Sequence, residues 1–432
     1  MNSLWSETAQ LPQFEPLKGN LKTDVLIIGG GLAGILCAHM LSQAGVDYAL
    51  VEAGRICSGV TKNTTAKITI QHGLIFDKLI KTFGEERAKM YLSANRDALE
   101  RYRILCRDID CDFEEQDSYV YSLINRAKIE NEVAALERLG CPAEFVKKPP
   151  LPIKTVGAVK IDRQAQFHPL KFVAAIAKDL RIFENTKVQE LTPKGALTDR
   201  GKILAKKIIV ATHFPIINKH GAYFLKLYQD RSYVLALKYA EDVGGMYIDE
   251  SGKGLSFRNS GDLLLLGGGS HRTGKSGCGW DELGRTAKRL FPNSREVCRW
   301  ATQDCMTLDG VPYIGQYSKS TPNMYVATGF NKWGMTSSMV AATLLRDAVL
   351  GRKNEYAEVF SPSRSILHPQ LALNALESTI GLLTPTVPRC PHLGCALKYN
   401  KEERSWDCPC HGSRFEKNGR LIDGPATDDK RM

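Results

Sequence analysis

Residues Thr23 to Ile28 form a short apolar run that leads into Gly29-Gly30-Gly31-Leu32-Ala33-Gly34; a helical pattern to about Ala44 and a second apolar run, Asp47 to Val51, follow. This order predicts a strand, a helix and a strand with G-x-G-x-x-G at the first turn. Glycines at Gly29, Gly31 and Gly34 permit a tight turn and a close backbone approach, so that a pyrophosphate can rest on the helix N-terminus. Glu52, eighteen residues beyond Gly34, stands where an acid accepts ribose hydroxyls. A glycine motif alone is weak. Strand, helix and acid at these distances together predict dinucleotide binding on an α/β fold.

The far end of the chain carries a second chemistry. Cys390 and His392 stand as C-x-H and, after fifteen intervening residues, Cys408 and His411 stand as C-x-x-H. Two thiolates and two imidazoles in paired loops fit a [2Fe–2S] cluster of mixed ligation, with a reduction potential of about −150 to +300 mV. A Cys2His2 zinc knuckle is the alternative; zinc sites favour two to four residues between paired cysteines, whereas each pair here joins one Cys to one His.

The segments CPHLGC (390–395), WDCPCHGSRF (406–415) and GPA (424–426) resemble the Rieske family. The resemblance implies Cys390, His392, Cys408 and His411 as cluster ligands. It also implies a disulfide between Cys395 and Cys410, as in the quinol-oxidising branch, and a cluster-covering loop at 424–426. Rieske domains usually lay down several strands before the first ligand loop, whereas Pro385 to Arg389 leads almost directly into Cys390. So short a domain is expected to lean on the rest of the chain, which would cover its sheet edges and shield the cluster.

Composition bounds the remainder. At 432 residues and 43% hydrophobic content, the chain can bury a large core and hold two or three domains. No run of eighteen apolar residues occurs, and the first twenty residues include Glu7 and Glu15. Neither export nor a transmembrane segment is signalled, which leaves the cytoplasm as the expected location. Apart from the four in the tail, the twelve cysteines are scattered, among them Cys37, Cys57, Cys278 and Cys305, and read as reduced thiols. The net charge of +11 comes without a dedicated basic tract, since acids are interspersed along stretches such as Glu85–Asp110. It therefore reads as a solvated surface and not as a nucleic-acid footprint.

Further segments resemble the D-amino-acid oxidase and glycine oxidase superfamily. They are Met306 to Gly315, a strand Met324–Thr328, the turn Gly329 to Met335 and a helix from Gly334 to Leu350. In that family this region meets the flavin, which implies FAD contacts at Asp309, Gly329, Trp333, Gly334 and Met335. The segment after the second strand resembles the stretch that runs along FAD, implying contacts at Ala53, Arg55, Thr61, Thr64 and Thr65, with Glu52 on the ribose. Thr186 to Val188 and Lys206 to Thr212 resemble strands on the dinucleotide, adding Val188 and Thr212. The combination with a Rieske segment is similar to bacterial FAD-dependent oxidoreductases that carry such a domain.

The expected architecture is a discontinuous Rossmann-like FAD-binding domain of the glutathione-reductase type (21–75, 155–215 and 300–352). An α+β substrate domain (76–154 and 216–299), a connection (353–384) and a small β cluster domain (385–432) complete it. Phe76 to Ile109 reads as one long amphipathic helix, and 233–267 as antiparallel strands roofing the flavin. A second G-x-G-x-x-G motif is missing from the middle of the chain, which argues against an intrinsic NAD(P)H domain. A small substrate, an amine or amino acid, oxidised directly at the flavin is expected, with electrons passing to the cluster and on to a one-electron partner, protein or quinone. The alternative is an electron-transfer or redox-sensing protein without a substrate of its own. His271, Arg272 and Lys332 are the candidate catalytic residues: a histidine to orient or deprotonate, an arginine to clamp a carboxylate, and a lysine at the flavin rim. His72, His168 and His213 read as structural. Cys305 lies near the position at which the sarcosine-oxidase branch attaches FAD covalently.

Overall fold

In the computed structural model, β1 (Leu21–Ile28) enters α1 (Leu32–Gln43), which returns to β2 (Tyr48–Val51). Two more strands of the same layer, β3 (Ile182–Phe183) and β4 (Gly201–Val210), come far later in the chain. Three long strands follow: β5 (Leu227–Lys238), β6 (Leu263–Arg272) and β7 (Arg295–Thr307). Then come β8 (Tyr313–Gln316), β9 (Met324–Thr328) and α2 (Gly334–Val349), and the connection to the tail carries α3 (Pro369–Leu383). The structure describes residues 2–429 apart from 217–219, 253, 276, 278 and 386–387. Cys278 therefore lies outside the described residues.

The first sheet runs in the order β8-β9-β4-β1-β2-β3, with the hairpin Val188–Thr192 and Gly195–Thr198 attached to β4. β1 lies parallel to both neighbours, Ile28 standing opposite Val210 of β4 and Val51 of β2. Val25, Leu26, Ile27 and Ile28 are buried, as expected of a parallel strand covered on both faces. α1 and α2 pack together against this sheet, sharing a core that includes Ile35, Leu36, Val340 and Leu344. The C-terminal ends of β1, β2, β4 and β9 therefore open on one crevice.

The second sheet begins β7-β5-β6, continues through Ser256–Ser260 and Met246–Asp249, and ends with Glu114–Ser122, Gly157–Gln166 and Lys67–Ile68. The strands within 233–267 pair antiparallel, as expected, while the wider sheet is mixed, because Met246–Asp249 runs parallel to Glu114–Ser122. It also takes 67–68, 157–166 and 295–307, so its strands come from both sides of the expected domain limits. The single helix expected over 76–109 is two, Phe76–Phe83 and Glu85–Leu105, because Gly84 adopts φ +82° and breaks the hydrogen-bond ladder. Four short antiparallel strands, Lys398–Asn400, Ser405–Asp407, Arg414–Glu416 and Leu421–Asp423, make the third sheet.

Candidate functional site

A cavity of about 500 Å³ lies between the crevice of the first sheet and one face of the second. Its end at the first turn is built of backbone. Gly29 has φ +108°, and a Cβ there would stand 2.5 Å from the Ala211 carbonyl oxygen. Gly34 does not line the cavity; a Cβ at that position would meet the Gly29 carbonyl oxygen at 1.9 Å, so it is the residue that lets α1 press against the turn. Glu52 accepts hydrogen bonds from the Gly30 N–H at 2.7 Å and the Gly54 N–H at 2.9 Å. Burial pushes its pKa up, against the pull of those backbone donors. Gly31, Ala53, Arg55, Thr61, Thr64, Thr65, Val188 and Thr212 line the same cavity, as do Gly329, Trp333, Gly334 and Met335 around the N-terminus of α2. Arg55 is held by Glu184 at 3.1 Å.

The end beneath the second sheet is polar. Lys332 lines it, its Nζ donating to Ser270 Oγ at 2.9 Å and to the Gly252 carbonyl at 3.3 Å, with the Asp230 carboxylate at 3.7 Å. Beside it stands Asp304 of β7, whose carboxyl burial raises to about 6 while the Lys332 charge opposes the rise. Trp333 stacks on His72, with centroids 4.9 Å apart and planes 16° apart. His72 is fixed by Tyr91 at 2.6 Å and Thr69 at 2.8 Å, and burial lowers its pKa to about 3, which makes it a neutral support. His168 is likewise structural, capping the helix Pro169–Ala177.

Besides Gly34, three residues expected at the flavin or the substrate are not brought to this cavity. Asp309 is absorbed by a two-point ion pair with Arg364, at 2.6 and 2.8 Å, and accepts the Val311 N–H at 3.0 Å. His271 turns back on its own strand, Nδ1 lying 3.0 Å from the Gly269 carbonyl and the ring stacked on Tyr233. Arg272 has its guanidinium filled by the cluster loop: it donates to the carbonyls of Pro409 at 3.0 Å and Cys410 at 3.1 Å, and to Asn374 Oδ1 at 3.0 Å. Cys305 sits in the apolar cluster of Leu227 and Tyr313, outside the cavity wall, and burial pushes its thiol up to about 12.

The cluster end adjoins the same cavity. Cys390, Cys408 and His411 are buried, and His392 is half-buried, its ring 5.0 Å from that of His411. Both ring nitrogens of His411 are buried and form no hydrogen bond among the described residues, an arrangement that suits a metal ligand. Two thiols and two imidazoles converging in this way fit a mixed-ligand [2Fe–2S] cluster. Cys395 and Cys410 are free thiols, their sulfurs within 4.8 Å of each other and of Cys408.

The expected leaning of the short domain takes a definite form. Gln229 of β5 donates to the His411 carbonyl at 2.7 Å and the Gly424 carbonyl at 3.0 Å, and Gln303 of β7 donates to the Gly412 carbonyl at 2.8 Å. Arg231 pairs with Glu403, which Arg414 holds from the other side at 2.7 Å. His213, expected to be structural, lines the cavity, and Phe214 does so while facing His392 and His411, both at 6.4 Å. Asp304, Gln229, Gln303 and Phe214 carried no motif; the only signal for the first three is a polar side chain recurring along strands otherwise rich in apolar residues.

The family described as FAD dependent oxidoreductase matches residues 24–348. This chain belongs to it. A Rieske [2Fe-2S] domain matches residues 367–431, a span that includes α3. The Bacillus subtilis (strain 168) protein YhfW, named as a Rieske 2Fe-2S iron-sulfur protein, is 35% identical over 98% of this chain and 95% of its own length. Gamma-glutamylputrescine oxidoreductase of Escherichia coli (strain K12) is 24% identical over 78% of this chain and 86% of its own. Among solved structures, glycine oxidase from Geobacillus kaustophilus shares the fold with a TM-score of 0.67 and 20% identity, covering 80% of this chain and all of the other. The protein is thus a Rieske-fused oxidoreductase of this family, which binds FAD and a [2Fe–2S] cluster. Among the described residues, no helix is long and apolar enough to cross a membrane.

Proposed function

We propose that this oxidoreductase dehydrogenates a small amine or amino acid in the cavity and passes the electrons through its own cluster to a one-electron partner, a protein or a quinone. The observation that carries this reading is that the cavity has a wall from each half of the chain. Thr212 to Phe214 of the body and Asp423, Gly424, Ala426 and Thr427 of the cluster domain line the same space. FAD supplies a two-electron acceptor that can be emptied one electron at a time, and the cluster supplies a one-electron carrier. Fusion replaces a diffusional encounter with a fixed distance.

The chain's own residues have separate tasks. Dehydrogenation of an amine releases two electrons and two protons, and Asp304 is the carboxylate placed to hold a substrate nitrogen and take one of those protons. Lys332, anchored by Ser270 and Asp230, orients the polar end of the substrate. Trp333, backed by His72, gives the apolar rim. A disulfide between Cys395 and Cys410 would tie the two ligand loops together once oxidised.

Anaerobic mixing with glycine, proline and putrescine tests the reading, with flavin absorbance and the electron paramagnetic resonance of the cluster followed together. Bleaching of the flavin by one of them, with growth of the rhombic signal of a reduced cluster, is expected. Cluster reduction by partner proteins alone, with no bleaching by any amine, would establish an electron-transfer protein without a substrate.

A further inference from the structure

The helix α3 is inside out. An amphipathic helix buries its apolar stripe and exposes its polar one. Here the inward stripe is Asn374, Glu377 and Gly381. Asn374 is 1% exposed and holds Arg272 and the Leu225 carbonyl. Glu377 turns to Lys275 at 2.7 Å, and Gly381 lies where a Cβ would stand 2.5 Å from Cys410 Sγ. The outward stripe is Leu373, Leu376, Ile380 and Leu383, exposed by 53, 55, 47 and 77%.

The inversion has a local cause. Cys410 leaves room only for glycine, and Arg272 needs a polar partner, so the small and polar residues are drawn inward. That explains the inner stripe but not four large aliphatic side chains in water. Solvent-facing helix positions ordinarily carry charged or polar residues, and a contiguous apolar patch marks an interaction surface.

We infer that this face docks on an anionic lipid surface, with α3 lying in the plane of the interface. No charged side chain interrupts the outer stripe, as insertion among acyl chains requires. Leu382 approaches Gly394, so the face continues onto the ligand loop, where Leu393 is also exposed beside His392. Arg389 stands at the C-terminal end of α3, bonded to the Gly394 carbonyl at 2.7 Å. The net charge of +11, though spread over the surface, favours anionic headgroups over a second copy of like charge, which argues for lipid over self-association. Docking in this way would set the half-buried His392 side of the cluster next to the lipid phase. The inference does not depend on the substrate or on the direction of electron flow.

Flotation of the full chain with both cofactors tests it, using vesicles of phosphatidylglycerol with phosphatidylcholine and vesicles of phosphatidylcholine alone. Binding to the anionic vesicles, weakened by salt, is expected. The double substitution Leu376→Glu and Ile380→Glu should lower it about tenfold or more, with flavin absorbance and the cluster signal unchanged. As a readout independent of that variant's folding, Leu376→Trp should shift its fluorescence to the blue on anionic vesicles. Absence of flotation, flotation indifferent to the double substitution, or no fluorescence shift would each overturn the inference. So would a lipid-free dimer that the double substitution dissociates, since a second copy would then cover the face.

Discussion

The first-turn end of the cavity is made of backbone, with Gly29 and Gly34 admitting two strands and a helix into one small volume. The seat of the cluster domain is made instead of long side chains, Gln229, Arg231, Arg272 and Gln303, reaching out of β5, β6 and β7 to carbonyls and a carboxylate. The difference teaches where each half is vulnerable. A backbone site fails when a side chain is added, and a side-chain seat fails when one is cut back.

The sharpest way to separate the two halves is Cys408→Ser. It removes a buried ligand, so the cluster signal and the bound iron should be lost entirely, while the flavin spectrum stays. Loss of flavin as well, measured by absorbance, would break the distinction between the halves. The reciprocal change, Gly34→Val, forces a side chain into the 1.9 Å approach to Gly29. It should cost about 1–3 kcal/mol of stability by overpacking and strip the flavin, with iron content retained.

Arg272→Met tests the seat itself. Both cofactors should remain, while three hydrogen bonds from a charged donor are lost, each worth about 1.5–3 kcal/mol at most. Faster proteolysis of the tail and slower cluster reduction are the expected readouts, and an unchanged transfer rate would mean that Arg272 does not hold the cluster in register. A smaller effect is expected of Asp304→Asn. Burial raises the Asp304 carboxyl to about 6, so the carboxylate that holds an amine forms as pH rises through that value. Wild-type flavin reduction should gain a rising limb near pH 6 that the variant lacks. In stability the sign is opposite: a raised folded pKa favours the protonated fold, so this group's contribution is present at low pH and lost as pH rises through about 6. Urea unfolding at several pH values should show that loss in the wild type and not in Asp304→Asn. The smallest effect belongs to His271→Ala, which should change flavin reduction less than about twofold, because the ring faces Tyr233 and not the cavity.

Legibility follows the same division. The strand, turn and helix of 21–51 could be read because apolar periodicity and glycine requirements are local, and the cluster ligands because their spacing within two loops is set by the metal. Asp309 stands inside a motif that pointed to FAD, yet its carboxylate is taken by Arg364, fifty-five residues along. Arg272 has the chemistry of a carboxylate clamp, but that same guanidinium serves a loop 137 residues away. Neither outcome has a sequence signal, since any buried arginine seeks acceptors and only the fold says which are near.

By itself the sequence determined that this chain carries a dinucleotide-type glycine turn near its start and a mixed-ligand cluster motif near its end. A tight turn with close backbone approach demands glycine, and the cluster demands two thiolates and two imidazoles at short spacing. Only the tertiary structure decided that both halves of the chain contribute to one cavity wall, that side chains of β5, β6 and β7 seat the cluster loops, and that α3 turns its leucines outward. Those outcomes rest on which long side chains meet across layers. Such meetings depend on the packing of strands far apart in the chain, and no window of residues contains them.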